Sequence, residues 1–172
     1  MTQTDDLKAA LAETRGRLMA AVGGVSEQQF KRRPAATPAA PAPWCIAEVL
    51  AHLLHDEDLW SRRIEHALTN DGTEIEPSPR QESAGRIAAA RQAPVPQLIH
   101  GILASRRDLE LRLANASRVE GGMERSLRHT ARGVISVRWM ATKVIEHEGE
   151  HTAQIEAIRA QLGVAAAIGK AP

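Results

Sequence analysis

HEGEH, from His147 to His151, spells H-E-x-x-H, the pattern in which a zinc peptidase helix offers two imidazoles to an ion and a glutamate to its water. Histidines four apart lie one turn apart on the same side of a helix, so both can reach one ion. With seven histidines in the chain, chance alone gives about 0.3 such pairs, and the spacing by itself is weak. The setting is stronger. At about 100° per residue, Met140, Val144, Ile155, Ile158 and Leu162 form one stripe, and His147, Glu148 and His151 fall within about 60° of its centre. The helix therefore aims two imidazoles and a carboxylate at an apolar core. Left without partners, each would cost on the order of a few kcal/mol. A bound metal satisfies them, and so does a polar core network; periodicity leaves both open.

A peptidase needs more than this pentapeptide. Its third ligand is a histidine six residues on or a glutamate well downstream. Here position 157 is Ala, no histidine follows His151, and Glu156 is too close and rotated off the histidine face. Nor does the chain offer strands for a substrate-binding edge. The reading is not a zincin peptidase, and a third ligand has to come from upstream.

The stretch WCIAEVLAHLLHDEDLW, Trp44 to Trp60, gathers Glu48, His52, His55, Asp56, Glu57 and Asp58. His52 sits at the edge of this segment's apolar stripe, about 120° from its centre, and is a candidate inward ligand. Glu57 is central to the stripe, one heptad beyond Leu50, placed to face a site or to support one. His55 lies opposite the stripe and is expected at the solvated surface, as is His66. Surface or loop positions are expected for His100 and His129.

These residues need helices to hold them. Alanine, leucine, arginine and glutamate dominate, and strand-favouring runs are nearly absent, which predicts an all-α fold. Leu7, Leu11, Leu18 and Val22 mark a first helix over residues 4–22, stopped by Gly23-Gly24. Pro34 to Pro43 is a proline-rich linker. A second helix is expected over 44–68, a short one over 83–92 and a third long one over 95–114, carrying Leu98, Ile102, Leu109 and Leu113. Residues 117–133 read as an irregular connection, and the last helix runs from a Ser136 cap to Gly163. Four long amphipathic helices make a four-helix bundle, one domain over residues 1–172.

Composition narrows the partners. The net charge is +1, and the aromatics are three Trp, one Phe and no Tyr, so neither a basic footprint nor stacking platforms for nucleic acid are expected. The lone cysteine, Cys45, allows no intramolecular disulfide and reads as a small buried residue. The polar N-terminus lacks a signal-peptide core, and no run approaches the roughly 20 apolar residues of a membrane span. A soluble cytoplasmic protein without a membrane partner is the expectation.

Two motifs carry a family resemblance. W-C-I-A-E-V-L-A-H-L resembles the start of helix two in the DinB-like family. H-E-G-E-H-T-A-Q-I, preceded by I-S-V-R-W-M, is similar to that family's final helix. The resemblance implies a metal-binding four-helix bundle of up-down-down-up connectivity. It implies a site of three histidines: His52 from helix two, His147 and His151 from the last. Gln154 matches the glutamine of the pattern, and Glu57 and Glu48 match positions often acidic or polar. Relatives include transferases and isomerases that use low-molecular-weight bacterial thiols, and dimers are common, so a homodimer is expected.

Three neutral imidazoles leave at least one coordination position for water or substrate. Zinc or nickel suits them, and manganese and iron are compatible. The expected function is a metal-dependent thiol S-transferase or hydrolase acting on a small molecule, with a low-molecular-weight thiol as cofactor in the first case. Glu148 is the candidate general base or anchor. Arg125, Arg128 and Arg132 could receive a carboxylate of the thiol, although a solvated basic loop accounts for them more simply. The alternatives are a non-catalytic metal-binding or sensor protein, and a helical interaction module.

Overall fold

The computed structural model describes residues 3–38, 40–78 and 80–164. In chain order these form α1 (Gln3–Val22), α2 (Glu27–Lys31), α3 (Ile46–Thr69), β1 (Glu74–Ile75), α4 (Arg80–Ala89), α5 (Val95–Arg118), β2 (Ser126–His129), β3 (Gly133–Ser136) and α6 (Val137–Gln161). The four long helices α1, α3, α5 and α6 make the bundle, with α3 packed against α5 and α6, and α1 against α6. No helix among the described residues is long and apolar enough to cross a membrane.

The helix ends follow from local chemistry. Ser136 Oγ accepts the Trp139 N–H at 3.1 Å, satisfying one of the free donors of α6's first turn. Gly163, at φ 68°, supplies the left-handed residue that closes α6. Arg159, buried on α6, donates to the carbonyls of Ala21 at 2.5 Å and Gly23 at 3.1 Å. It thereby ties the C-terminal end of α1 to the last helix.

Departures from the sequence expectation fall at α2, where no helix was expected, at α4, at α5 and in the segment after α5. α5 continues to Arg118, and the short helix α4 spans Arg80–Ala89, earlier than the 83–92 expected. The segment 117–133 is not wholly irregular, because β2 and β3 pair antiparallel with Leu127 opposite Ile135, and β1 joins β2 in parallel. Leu127 and His129 are buried while Arg128 between them is exposed, the period of two that a strand imposes. With one aliphatic residue in β2 and two-residue pairing in β1, there was no run long enough to show that period in the sequence.

The core is divided. Leu18, Val22, Ile46, Leu50, Leu98, Ile102, Ile155 and Ile158 belong to one apolar cluster. Leu11, Trp60, Ile64, Leu109, Leu113, Leu127, Met140 and Val144 belong to a second. On every long helix a charged residue falls between the two sets: Arg15 on α1, Glu57 on α3, Arg106 on α5 and Glu148 on α6. These four join one another. Arg15 meets Glu57 at 2.7 Å and Glu148 at 2.8 Å, and Arg106 meets Glu57 at 2.6 Å and Glu148 at 2.7 Å. Ser105 Oγ adds a hydrogen bond to Glu57 at 2.6 Å. The guanidiniums also donate to backbone carbonyls, Arg15 to Ile102 at 2.5 Å and Arg106 to Leu11 at 2.6 Å. Two cations and two anions balance, which is what makes such a buried layer tolerable.

Candidate metal centre

Beside this layer, α3 and α6 bring three imidazoles together. His147 Nε2 lies 3.1 Å from His52 Nε2 and 3.1 Å from His151 Nε2. Ring centroids stand 4.9 Å (His52–His147), 4.8 Å (His52–His151) and 4.5 Å (His147–His151) apart, every pair edge to face. The arrangement is close to an equilateral triangle.

Hydrogen bonding among the rings cannot account for it. Gln154 Oε1 is 2.7 Å from His151 Nδ1. A carbonyl oxygen only accepts, so in the neutral ring the proton sits on Nδ1 and Nε2 is a bare lone pair. If His147 Nε2 carries a proton, it can satisfy His151 and not also accept from His52. If it is bare, it opposes the bare His151 nitrogen. Either way one 3.1 Å contact has no proton to serve it. A cation at the centre accepts all three lone pairs. Two nitrogens about 2.05 Å from one ion lie about 2.9 Å apart at a right angle and about 3.3 Å apart at the tetrahedral angle. Both observed separations fall between those values, so the residues fit a divalent transition ion.

Electrostatics agree. Burial lowers the His52 pKa to about 4 against the opposing pull of Asp56. Burial, helped by His151, likewise lowers that of His147 to about 4. Both rings are neutral at pH 7, the state coordination requires. The ordinary value is 6.5, so between 6.5 and about 4 the unfolded chain takes up more protons than the folded one. The metal-free protein is therefore expected to hold its full stability above that window and to lose it as the pH falls through it. Urea midpoints measured in chelator across the window check this; a flat profile would contradict the burial of these two rings.

Two further residues frame the triangle. The Trp44 ring lies 5.2 Å from His52 and 6.5 Å from His151, stacked on the latter at 21°. Asp56, one turn after His52, places Oδ1 3.8 Å from His52 Nδ1 and Oδ2 3.6 Å from His147 Nε2. Those distances exceed a hydrogen bond and leave the half-buried carboxylate beside the nitrogens without occupying their space.

Glu148, the sequence candidate for a general base or anchor, lies in the charge layer beside the histidines. It is 2% exposed, with one oxygen on Arg15 and the other on Arg106. Glu57 sits in the same layer, and Glu48 accepts the Cys45 N–H at 2.8 Å and the Arg33 Nε–H at 3.0 Å. Cys45 is fully buried, and burial pushes its thiol up, which makes it a poor nucleophile. His66 is half-buried and His100 exposed.

Two histidines lie where the sequence reading did not put them. His55 and His129, expected in solvent or a loop, are both 4% exposed. α3 contacts α2, α4, α5, α6 and β2, so a helix wheel with one buried face does not describe it. The short sheet covers the side that the apolar stripe leaves free.

The match to known families is decisive. The DinB superfamily profile covers residues 10–155. The chain belongs to the DinB superfamily. Its fold is also that of YfiT from Bacillus subtilis, described as a probable metal-dependent hydrolase with an unusual four-helix bundle topology. The two share 16% identity over 96% of this chain and 91% of that one, with a TM-score of 0.75. No curated protein matches this DinB-superfamily chain in sequence.

Proposed function

We propose that this DinB-superfamily protein is a metal-dependent enzyme acting on a small molecule, with His52, His147 and His151 holding a divalent transition ion. The observation that carries the reading is the convergence of three Nε2 atoms, one of them fixed as a lone pair by Gln154. Zinc or nickel suits an all-imidazole set, and manganese or iron is compatible. Three protein ligands leave a position for exogenous water or a thiol, and an ion there brings its pKa toward neutrality.

The chain's own residues supply the rest. Asp56 is placed to take the proton released at that position, with Oδ2 3.6 Å from the nearest imidazole nitrogen. Glu148 cannot take it while two guanidiniums hold its oxygens; its part is to anchor α6 so that His147 and His151 keep their rotamers. Trp44 walls one side with an apolar face.

Hydrolysis is the first reading, in line with the description of YfiT. Transfer of a low-molecular-weight thiol is the second, and a specific feature favours it. His52 also borders a cleft of about 370 Å³ lined by Arg33, Trp44, Glu48, Ala84 and Ile87, while Asp56 borders a separate one. Two clefts at one centre can seat two reactants.

Untagged protein loaded with zinc or nickel, assayed on ester and amide panels and on bacterial thiols with electrophiles, tests the proposal. Turnover is expected to vanish on chelation. Asp56→Asn is expected to reduce it about 100-fold or more with bound metal unchanged. Turnover that survives complete metal removal would overturn the reading.

A further inference from the structure

The cleft that Asp56 borders has a volume of about 420 Å³, and its lining includes His55, Trp60, Arg63, His129 and Arg132. That is room for a small molecule. Its polar groups are unevenly matched. The Arg63 guanidinium lies 5.1 Å from the centroid of Trp60 and that of Arg132 lies 6.0 Å from the centroid of Trp139. The two indoles meet edge to face at 5.9 Å. Each cation thus stands on an aromatic face, and the faces are joined.

Arg63 donates to the Glu76 carbonyl at 3.1 Å. Among the described residues neither arginine forms an ion pair with a carboxylate, although Asp56 is near enough to favour the charge on Arg63. Burial and the charge of Arg132 push the Arg63 pKa down, the mark of a partly buried cation with a second one near it. His129 Nδ1 accepts the Ala131 N–H at 3.1 Å, so the neutral ring carries its proton on Nε2 and offers a donor. His55 Nδ1 is buried and finds no hydrogen-bond partner among the described residues.

We propose that this cleft binds an oxyanion, the carboxylate or phosphate of the small molecule handled at the histidine centre, with Arg63 and Arg132 as its clamp and His129 as a neutral donor. An anion relieves the repulsion between the guanidiniums and meets donors that nothing else fills. Asp56 belongs to both the cleft and the metal centre, so a molecule held by its anionic end here extends toward the histidines. The link to catalysis rests on the proposed metal-dependent function; anion binding itself does not.

Zinc-loaded and zinc-free full-length protein should be titrated with succinate, with inorganic phosphate and with neutral dimethyl succinate, followed by calorimetry and tryptophan fluorescence. Saturable binding of an anion and none of the diester is expected; succinate bound more tightly than phosphate marks a carboxylate site, and the reverse a phosphate site. Arg63→Gln and Arg132→Gln should each weaken it at least tenfold with zinc stoichiometry unchanged, and Arg63→Lys should weaken it less than Arg63→Gln. Arg132 is exposed, so its substitution tests the clamp without disturbing the core. Anion binding by protein that takes up no zinc would support the cleft while removing the metal reading. Failure of both anions to bind the zinc-loaded protein, equal binding of the diester, or affinity indifferent to both glutamine substitutions would overturn the proposal.

Discussion

Arg106→Ala is expected to cost about 3–5 kcal/mol of stability, because it breaks a buried ion network and leaves charge without a partner. Arg106 is 4% exposed and holds Glu57, Glu148 and the Leu11 carbonyl with three different nitrogens. Without it, two carboxylates share the single guanidinium of Arg15 inside the bundle. A loss of that size is a large part of the roughly 5–15 kcal/mol that domains possess, so much of the variant would be unfolded under mild denaturant. The network also predicts its own non-additivity. Removing Glu57 as well takes away one of the stranded anions, so the double variant should cost clearly less than the sum of the two single ones. Urea titrations of the four proteins measure this. Simple additivity would show that the four charges do not act as one unit.

Half of that layer, Glu57 and Glu148, was read from the sequence one residue at a time; Arg15 and Arg106 were missed, although their spacing carries a signal. Arg15 comes four residues after Leu11 and three before Leu18, and Arg106 four after Ile102 and three before Leu109. Each therefore interrupts an apolar stripe at an inward position, as Glu57 and Glu148 do on their helices. An inward charge on every long helix, two of each sign, is a pattern that asks for a network. Read alone, Glu148 looked like a base because it stands beside His147. Only the tertiary structure brings Arg15 and Arg106 to it and fills both of its oxygens.

The same distinction explains the rest. Helix existence was legible because 3.6-residue periodicity is summed over many turns. The short sheet was not, since strands of two and four residues give periodicity nothing to sum. That omission carried over to the site. β2 and the turn after it bring His129 and Arg132 beside α3, and Arg63, an ordinary arginine near the end of that helix, became part of a cleft. The side of α3 that periodicity assigned to solvent is where His55 is buried. Of the three loop arginines weighed from the sequence, Arg132 alone lines that cleft; Arg125 instead donates to the Leu68 carbonyl, and Arg128 is exposed on β2.

Adding zinc or nickel to metal-free protein is expected to raise its melting temperature by roughly 5–10 °C, and His147→Ala is expected to abolish that rise. The size follows from linkage: free metal at about 100 times Kd stabilises the folded state by about 2.7 kcal/mol. Each kcal/mol moves the melting temperature of a chain this long by about 2–4 °C. His147 is the ligand to remove because its Nε2 is 3.1 Å from both other nitrogens; without it, the remaining two imidazoles form a far weaker pair. The variant should still fold, since His147 is half-buried and lies outside the charge layer. Gln154→Leu makes a graded companion. It removes the acceptor that fixes the His151 tautomer, frees the ring to place its proton on Nε2, and should lower metal affinity about 10- to 100-fold with the three ligands in place. Wild type, Gln154→Leu and His147→Ala should therefore rank in that order against a chelator of graded strength. If His147→Ala gains as much stability from zinc as the wild type does, the ion is held elsewhere and these three rings are a polar cluster of the core.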